Sequence, residues 1–238
     1  WKVRRPLSHS LHEVAKILGT ELTEAHLLPT FELFLKDLDQ VKVGVIRHLS
    51  EFLEVLSPET RTEYIDIIRD IQLHGANWRF RKLLAKQLAK LASLFDLETI
   101  KTFIIPMAIQ LCEDQVTTVR YAVTKEMGIF LNYLSGLDEN AASEFIDTIL
   151  PFATKESCYD RQTFAMICES MVEHIQPNVF QEKFYPALKE LSKDPVPNVR
   201  FIVARIFIQQ LFGNDSYPNI QNELKEVQPT FAEDSDRE

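Results

Sequence analysis

Six histidines, three cysteines and several close carboxylates are the side chains here whose chemistry could serve catalysis or metal binding. His9 and His12 stand three residues apart. A helix would bring both imidazoles to one face, where they could in principle share a metal ion. No His-Glu-x-x-His run and no pair of closely spaced cysteines accompanies them, so these two, with His26, His48, His74 and His174, read as surface or helix-packing residues. Cys112 and Cys168 fall on apolar helical positions and read as small core residues, whereas Cys158 falls in a turn. An odd, sparse cysteine count suits a reducing compartment, and the expected location is cytoplasmic and/or nuclear. Asp37 with Asp39, and Asp234 with Asp236, read as helix caps and solvated turns. There is no glycine-rich phosphate loop, and no Ser, His and Asp trio stands out. The expectation is a chain that is not an enzyme, with no catalytic, cofactor-binding or metal-binding residue and no cofactor.

The chemistry that does repeat is arginine with aspartate. Asp114-Gln115-Val116-Thr117-Thr118-Val119-Arg120 and Asp194-Pro195-Val196-Pro197-Asn198-Val199-Arg200 place Asp and Val-Arg at the same offsets. In the same phase lie Arg4, Lys42, Arg81 and Arg161, so the basic residues recur at intervals of 38, 39, 39, 41 and 39. Such a period marks a stacked repeat. Asp at a helix start caps free N–H groups, and Arg offers a fork matched to a carboxylate. Asp114, Arg120, Asp194 and Arg200 are therefore expected to form a structural ladder, each arginine pairing with a turn aspartate along the stack. Arg79 stands apart. Arg81 already fills the ladder position, which makes Arg79 an extra cation beside Trp78, and Trp and Arg are the types enriched at interface hot spots.

The elements that position these residues are helices. Apolar residues follow each basic residue at offsets 3, 7, 10, 11 and 14, one face of an α-helix. Val45, Leu49, Phe52, Leu53 and Leu56 show it fully, Leu7, Leu11, Val14, Ala15 and Leu18 show it in the first repeat, and Gln210 and Asn214 mark its fading in the last. The expected fold is all-α: a right-handed α-solenoid of helix pairs over 1–213, about six repeats with the first and last incomplete. The second helices should start near 3, 41, 78, 118, 159 and 198. Helices are expected over 1–19 (closed by Gly19), 22–38, 41–56, 58–74 and 78–95, with Asn77 as an N-cap. Repeats four to six span about 97–135, 138–175 and 177–213. Pro29, Pro106, Pro151 and Pro186 lie within first helices, where each should kink rather than break the helix. Residues 214–238 read as an acidic tail, the first helix and turn of a further repeat, so more repeats of the same chain are expected at both ends.

Net charge is −9, and the tail contributes seven acidic residues against Lys225 and Arg237. Neither part is a basic nucleic-acid stripe, and no apolar run reaches membrane-span length, so neither nucleic acid nor membrane is an expected partner. The 16 phenylalanines read as the core of the helix stack rather than a platform for bases.

These turns resemble those of the HEAT-repeat family. Trp1-Lys2-Val3-Arg4, Trp78-Arg79-Phe80-Arg81, Tyr159-Asp160-Arg161 and Asp194 to Phe201 are similar to turns of the protein phosphatase 2A scaffold subunit. His12-Glu13, Ile17-Leu18-Gly19, Phe34 to Asp39, Asn77 to Arg81 and Arg161-Gln162 resemble the protein phosphatase 4 regulatory subunit 1 family more closely. The resemblance implies a non-catalytic scaffold that holds a Ser/Thr phosphatase catalytic subunit, protein phosphatase 4 or a close relative, on its ridge of intra-repeat turns. It points to Trp78, Arg79, Tyr159, Arg161, Pro197 and Asn198 as partner-binding residues. The fifth turn is one residue shorter than its counterpart and carries Asp160. The competing expectation is a transport or trafficking adaptor that binds peptide signals along its concave helices.

Overall fold

The computed structural model describes residues 1–73 and 77–232, and only the backbone of 73 and 227–232. His74, most of the expected turn at Gly75-Ala76-Asn77 and the acidic turn at Glu233 to Asp236 lie outside the described residues. Every regular element among the described residues is helical, and helices pack in series along the chain as an all-α solenoid. The chain divides into two compact units, Trp1–Ala122 and Val123–Glu238.

The first unit contains α1 (Arg4–Leu22), α2 (Leu28–Leu35), α3 (Asp39–Arg47), α4 (Leu49–Val55), α5 (Pro58–Thr62), α6 (Ile65–Leu73), α7 (Trp78–Ala85), α8 (Leu88–Ala92), α9 (Leu97–Thr99) and α10 (Ile105–Cys112). α1 packs on α3 and α4, α2 on α3, α3 on α7, and α6 and α10 on α7. α11 (Thr117–Leu137) contains the unit boundary. The second unit continues with α12 (Glu139–Ile149), α13 (Cys158–His174), α14 (Pro177–Val179), α15 (Tyr185–Glu190), α16 (Pro197–Ile206) and α17 (Gln221–Ala232). Here α13 packs on α15 and α16, and α16 on α17.

Burial follows the 3.6-residue pattern. Val45, Leu49, Phe52, Leu53 and Leu56 are buried in the first unit, as are Val123, Met127, Phe130, Leu131 and Leu134 in the second. Each such side chain contributes about 1.5–3 kcal/mol by leaving water. In α1, Leu11 and Ala15 are buried while Leu7 and Val14 of the same expected face are exposed. Cys112 and Cys168 are buried, and Cys158 is the first residue of α13.

The prolines show how the first helices bend. Single π-turns at Thr23–Leu27, Ile100–Ile104 and Phe180–Phe184 each end two residues before Pro29, Pro106 and Pro186. Proline has no N–H to close the i→i−4 bond, and the wider turn takes up the mismatch. Pro151 sits instead in a 3₁₀ segment, Leu150–Thr154.

Three expected continuous helices are divided. The 41–56 helix breaks at His48 (φ −116°, ψ 26°), the 58–74 helix at Glu63-Tyr64, and the 78–95 helix at Lys86-Gln87. The first break is sealed from the next repeat. The Gln87 side-chain amide donates to Ile46 O at 2.8 Å, and its carbonyl accepts from Ser50 N and Ser50 Oγ, both at 2.9 Å. Ile46 O and Ser50 N are backbone groups that a broken helix would otherwise leave unpaired. Gly19 adopts φ +77° inside α1, so the expected end at Gly19 is a sharp bend, after which the helix resumes to Leu22.

Two helix crossings require glycine. A Cβ on Gly44 would lie 2.1 Å from Ser8 Oγ and 2.8 Å from the Ser8 backbone, where α3 meets α1. A Cβ on Gly128 would lie 2.3 Å from Ser170 O, where α11 meets α13 within the second unit.

Candidate functional site

The turns between paired helices are built by arginine. Arg81 donates to Asp114 through Nε (2.5 Å) and Nη2 (3.1 Å). Arg161 donates to Asp194 in the same way, at 2.6 and 3.2 Å, and Arg4 to Asp37, at 2.5 and 3.0 Å. Each pair joins residues 33 positions apart, so the arginine of one repeat holds the turn aspartate of the next. Each aspartate also accepts a backbone N–H at the following helix start: Leu38, Val116 or Val196. This is a forked, charge-assisted clamp on a helix N-terminus.

A second contact runs backward by six residues. Arg120 Nη1 donates to Asp114 O (2.7 Å), Arg161 Nη1 to Lys155 O (2.9 Å), and Arg200 Nη1 to Asp194 O (2.8 Å). Arg120 and Arg200 thus reach the backbone carbonyls of Asp114 and Asp194, and the two carboxylates accept the forks of Arg81 and Arg161 of the preceding repeat. Position 153, which is 33 residues beyond Arg120, is alanine and has no carboxylate to offer. Burial pushes the Asp194 carboxyl up, but Arg161, the Val196 N–H and nearby Arg200 outweigh it and hold the pKa below its ordinary 3.8. Arg4 and the Leu38 N–H bring half-buried Asp37 down to about 2.

Arg161 was expected at the partner surface. The structure commits it to this framework: Nε and Nη2 go to Asp194, Nη1 also reaches Glu156 O at 2.7 Å, and the side chain is 13% exposed. Its neighbour Tyr159 is 60% exposed. Pro197 and Asn198 are exposed at the first turn of α16, beside the clamped Asp194.

Trp78 and Arg79 open α7, where the Asn77 side chain caps the helix by accepting from Arg79 N at 3.1 Å. The Arg79 guanidinium lies over the Trp78 ring at 4.8 Å, and Lys82 Nζ lies over the same ring at 5.8 Å. Arg79 is exposed, and its guanidinium makes no ion pair or hydrogen bond among the described residues. The result is an aromatic plate flanked by two cations, with donors left for a carboxylate or carbonyl of another molecule. The structure thus brings Trp78 together with Arg79, Arg161 with Asp194, and Arg200 with Asp194; Tyr159, Pro197 and Asn198 are surface positions on turns of the second unit.

The 33-residue register between Arg and Asp escaped the sequence reading, which counted only basic to basic. It is visible in the sequence once Arg4, Arg81 and Arg161 are aligned with Asp37, Asp114 and Asp194.

Residues 1–71 match the model of the protein phosphatase 4 regulatory subunit 1 middle domain. The chain is 35% identical over 223 residues to serine/threonine-protein phosphatase 4 regulatory subunit 1 of Homo sapiens, covering 91% of this chain and 24% of that protein. The corresponding proteins of Rattus norvegicus and Mus musculus are 35% and 34% identical over the same share of this chain and 23% of their own lengths. The chain spans about a quarter of the length of these relatives. Aligned over nine-tenths of its residues with these regulatory subunits, the chain belongs to the protein phosphatase 4 regulatory subunit 1 family.

Proposed function

We propose that this chain is part of a non-catalytic regulatory scaffold that binds a Ser/Thr phosphatase catalytic subunit, that of protein phosphatase 4, through its intra-repeat turns. The relatives' names carry the phosphatase association. The observation that selects the contact is the Arg79–Trp78 stack: a half-buried aromatic beneath an exposed cation at a turn, free of the framework that occupies Arg81 and Arg161. Tyr159, Pro197 and Asn198 extend the proposed surface on the turns of the second unit. In this reading the scaffold supplies no chemistry. It holds the catalytic subunit by burying an aromatic and arginine anchor, the type of contact that concentrates interface energy.

The test is co-purification of the 238-residue chain with purified catalytic subunits of protein phosphatase 4 and of a related Ser/Thr phosphatase. Stable binding to the protein phosphatase 4 subunit, without intrinsic phosphatase activity of the chain alone, is expected. Failure to bind any phosphatase would overturn the reading.

A further inference from the structure

The break at His48 builds a cluster that the turns do not use. His12 of α1 and His48, between α3 and α4, stack face to face with ring centroids 3.9 Å apart and planes 5° from parallel. Glu51 of α4 lies beside both. Its Oε1 is 2.9 Å from His48 Nδ1 and its Oε2 is 3.6 Å from His12 Nε2. Ligand atoms of these three residues all lie within 4.8 Å of one another, and among the described residues no other group of three or more His, Cys, Asp or Glu converges so closely.

His12 is the residue that needs explaining. Its side chain is 7% exposed. Nδ1 is buried without a hydrogen-bond partner, and Nε2 faces the Glu51 and Glu13 carboxylates only at 3.6 and 3.9 Å. A buried imidazole with neither nitrogen hydrogen-bonded carries a desolvation cost of about 1–3 kcal/mol that nothing in the helix packing repays. A cation held between Nε2 and the Glu51 carboxylate would give Nε2 the close partner that neither carboxylate supplies at hydrogen-bond distance.

We propose that His12, His48 and Glu51 form a binding site for a divalent late first-row transition ion, with Zn²⁺ as the type case. Two imidazoles and a carboxylate are a three-ligand set used for zinc, leaving a fourth position to solvent at the open side of His48 and Glu51. Bonds of about 2.0–2.2 Å in a tetrahedron place ligand atoms about 3.3 Å apart. The separations of 2.9 and 3.6 Å already bracket that value. The parallel rings do not yet aim their lone pairs at one point, so closure requires one imidazole to turn about its Cβ–Cγ bond. The ion also displaces Lys16, whose Nζ sits 2.5 Å from Glu51 Oε2 and serves as the cation there. It would tie α1 to α3 and α4 beside the Gly44 crossing.

Displacement of Lys16 gives the proposal a test with a sign. The 238-residue chain is titrated with Zn²⁺ by calorimetry and with Co²⁺ by visible absorption, with the melting temperature followed in parallel. One ion per chain, Co²⁺ ligand-field bands of a low-coordinate site and a raised melting temperature are expected. His12→Ala and Glu51→Gln should weaken binding by at least ~10-fold, the loss seen even for supporting groups of metal sites. His26→Ala, an exposed histidine outside the cluster, should bind as the parent does. Lys16→Gln should bind Zn²⁺ more tightly than the parent because the competing ammonium is gone. Absence of saturable binding in the parent, or unchanged affinity in both His12→Ala and Glu51→Gln, would overturn the site. If those two variants fail to fold by far-UV circular dichroism, Lys16→Gln decides: equal or weaker binding there contradicts it.

Discussion

Arg79 and Arg161 both lie at the start of a second helix, one or three residues after its first position, yet their surroundings are opposite. The guanidinium of Arg161 grips Asp194 with two donors and two turn carbonyls with a third. Arg79 lies on an aromatic ring with its guanidinium unbonded among the described residues. The difference teaches how to separate framework from surface in a repeat protein. Arg161 has a carboxylate 33 residues on and a carbonyl six residues back, and both hold it in the framework. Arg79 has neither, and its guanidinium donors remain for another molecule.

The largest expected effect is at Arg161. Arg161→Ala leaves the Asp194 carboxylate, whose side chain is 3% exposed, without its fork. It should cost about 3 kcal/mol in urea unfolding, as removal of one partner from a buried pair does. A loss below about 0.5 kcal/mol would erase the distinction between the two arginines. Arg161→Lys should recover only part of the loss, because an ammonium cannot bridge both oxygens.

Gly128→Ala should destabilise the second unit by about 1–3 kcal/mol, because the added methyl meets the Ser170 carbonyl and must push α11 from α13. This variant sharpens the comparison. It weakens the fold without touching a turn, so any loss of partner binding it shares with Arg161→Ala reports folding rather than contact.

Acid provides a smaller, signed effect. The folded pKa of Asp194 lies below its ordinary 3.8, so the unfolded chain takes up the proton first. Its contribution to stability is complete above pH 3.8 and is lost as pH falls through the lower folded value. The stability gap between the parent and Asp194→Asn should therefore be constant from pH 7 to 5 and shrink toward pH 3. A gap that widens on acidification would show that the carboxylate is not held in its charged form.

The smallest stability effect belongs to Arg79. Arg79→Glu should leave unfolding within about 0.5 kcal/mol of the parent, as an exposed substitution away from the framework does. A larger loss would place Arg79 in the ladder after all.

Much of this was legible in the sequence because its physics is local. The apolar offsets specify helices, the prolines mark bends, and Asn77 announces a cap. The break at His48 was not legible, because it is sealed by hydrogen bonds from Gln87, about 40 residues on, that leave no periodic trace. The pairing of Arg161 with Asp194 was hidden for a related reason. A period of about 40 says that arginines recur, but the contact follows the offset to the next turn. The cluster of His12, His48 and Glu51 was half visible: His12 was noticed with His9 as a helical pair, but its nearer partners come from another repeat.

The most direct measurement of the role of Arg79 is the affinity of the 238-residue chain for the protein phosphatase 4 catalytic subunit with Arg79 intact and reversed. Arg79→Glu should weaken binding by at least ~10-fold, about 1.4 kcal/mol, while its melting temperature stays at that of the parent. Unchanged affinity in a fully folded Arg79→Glu chain would contradict the assignment of this turn as the binding surface.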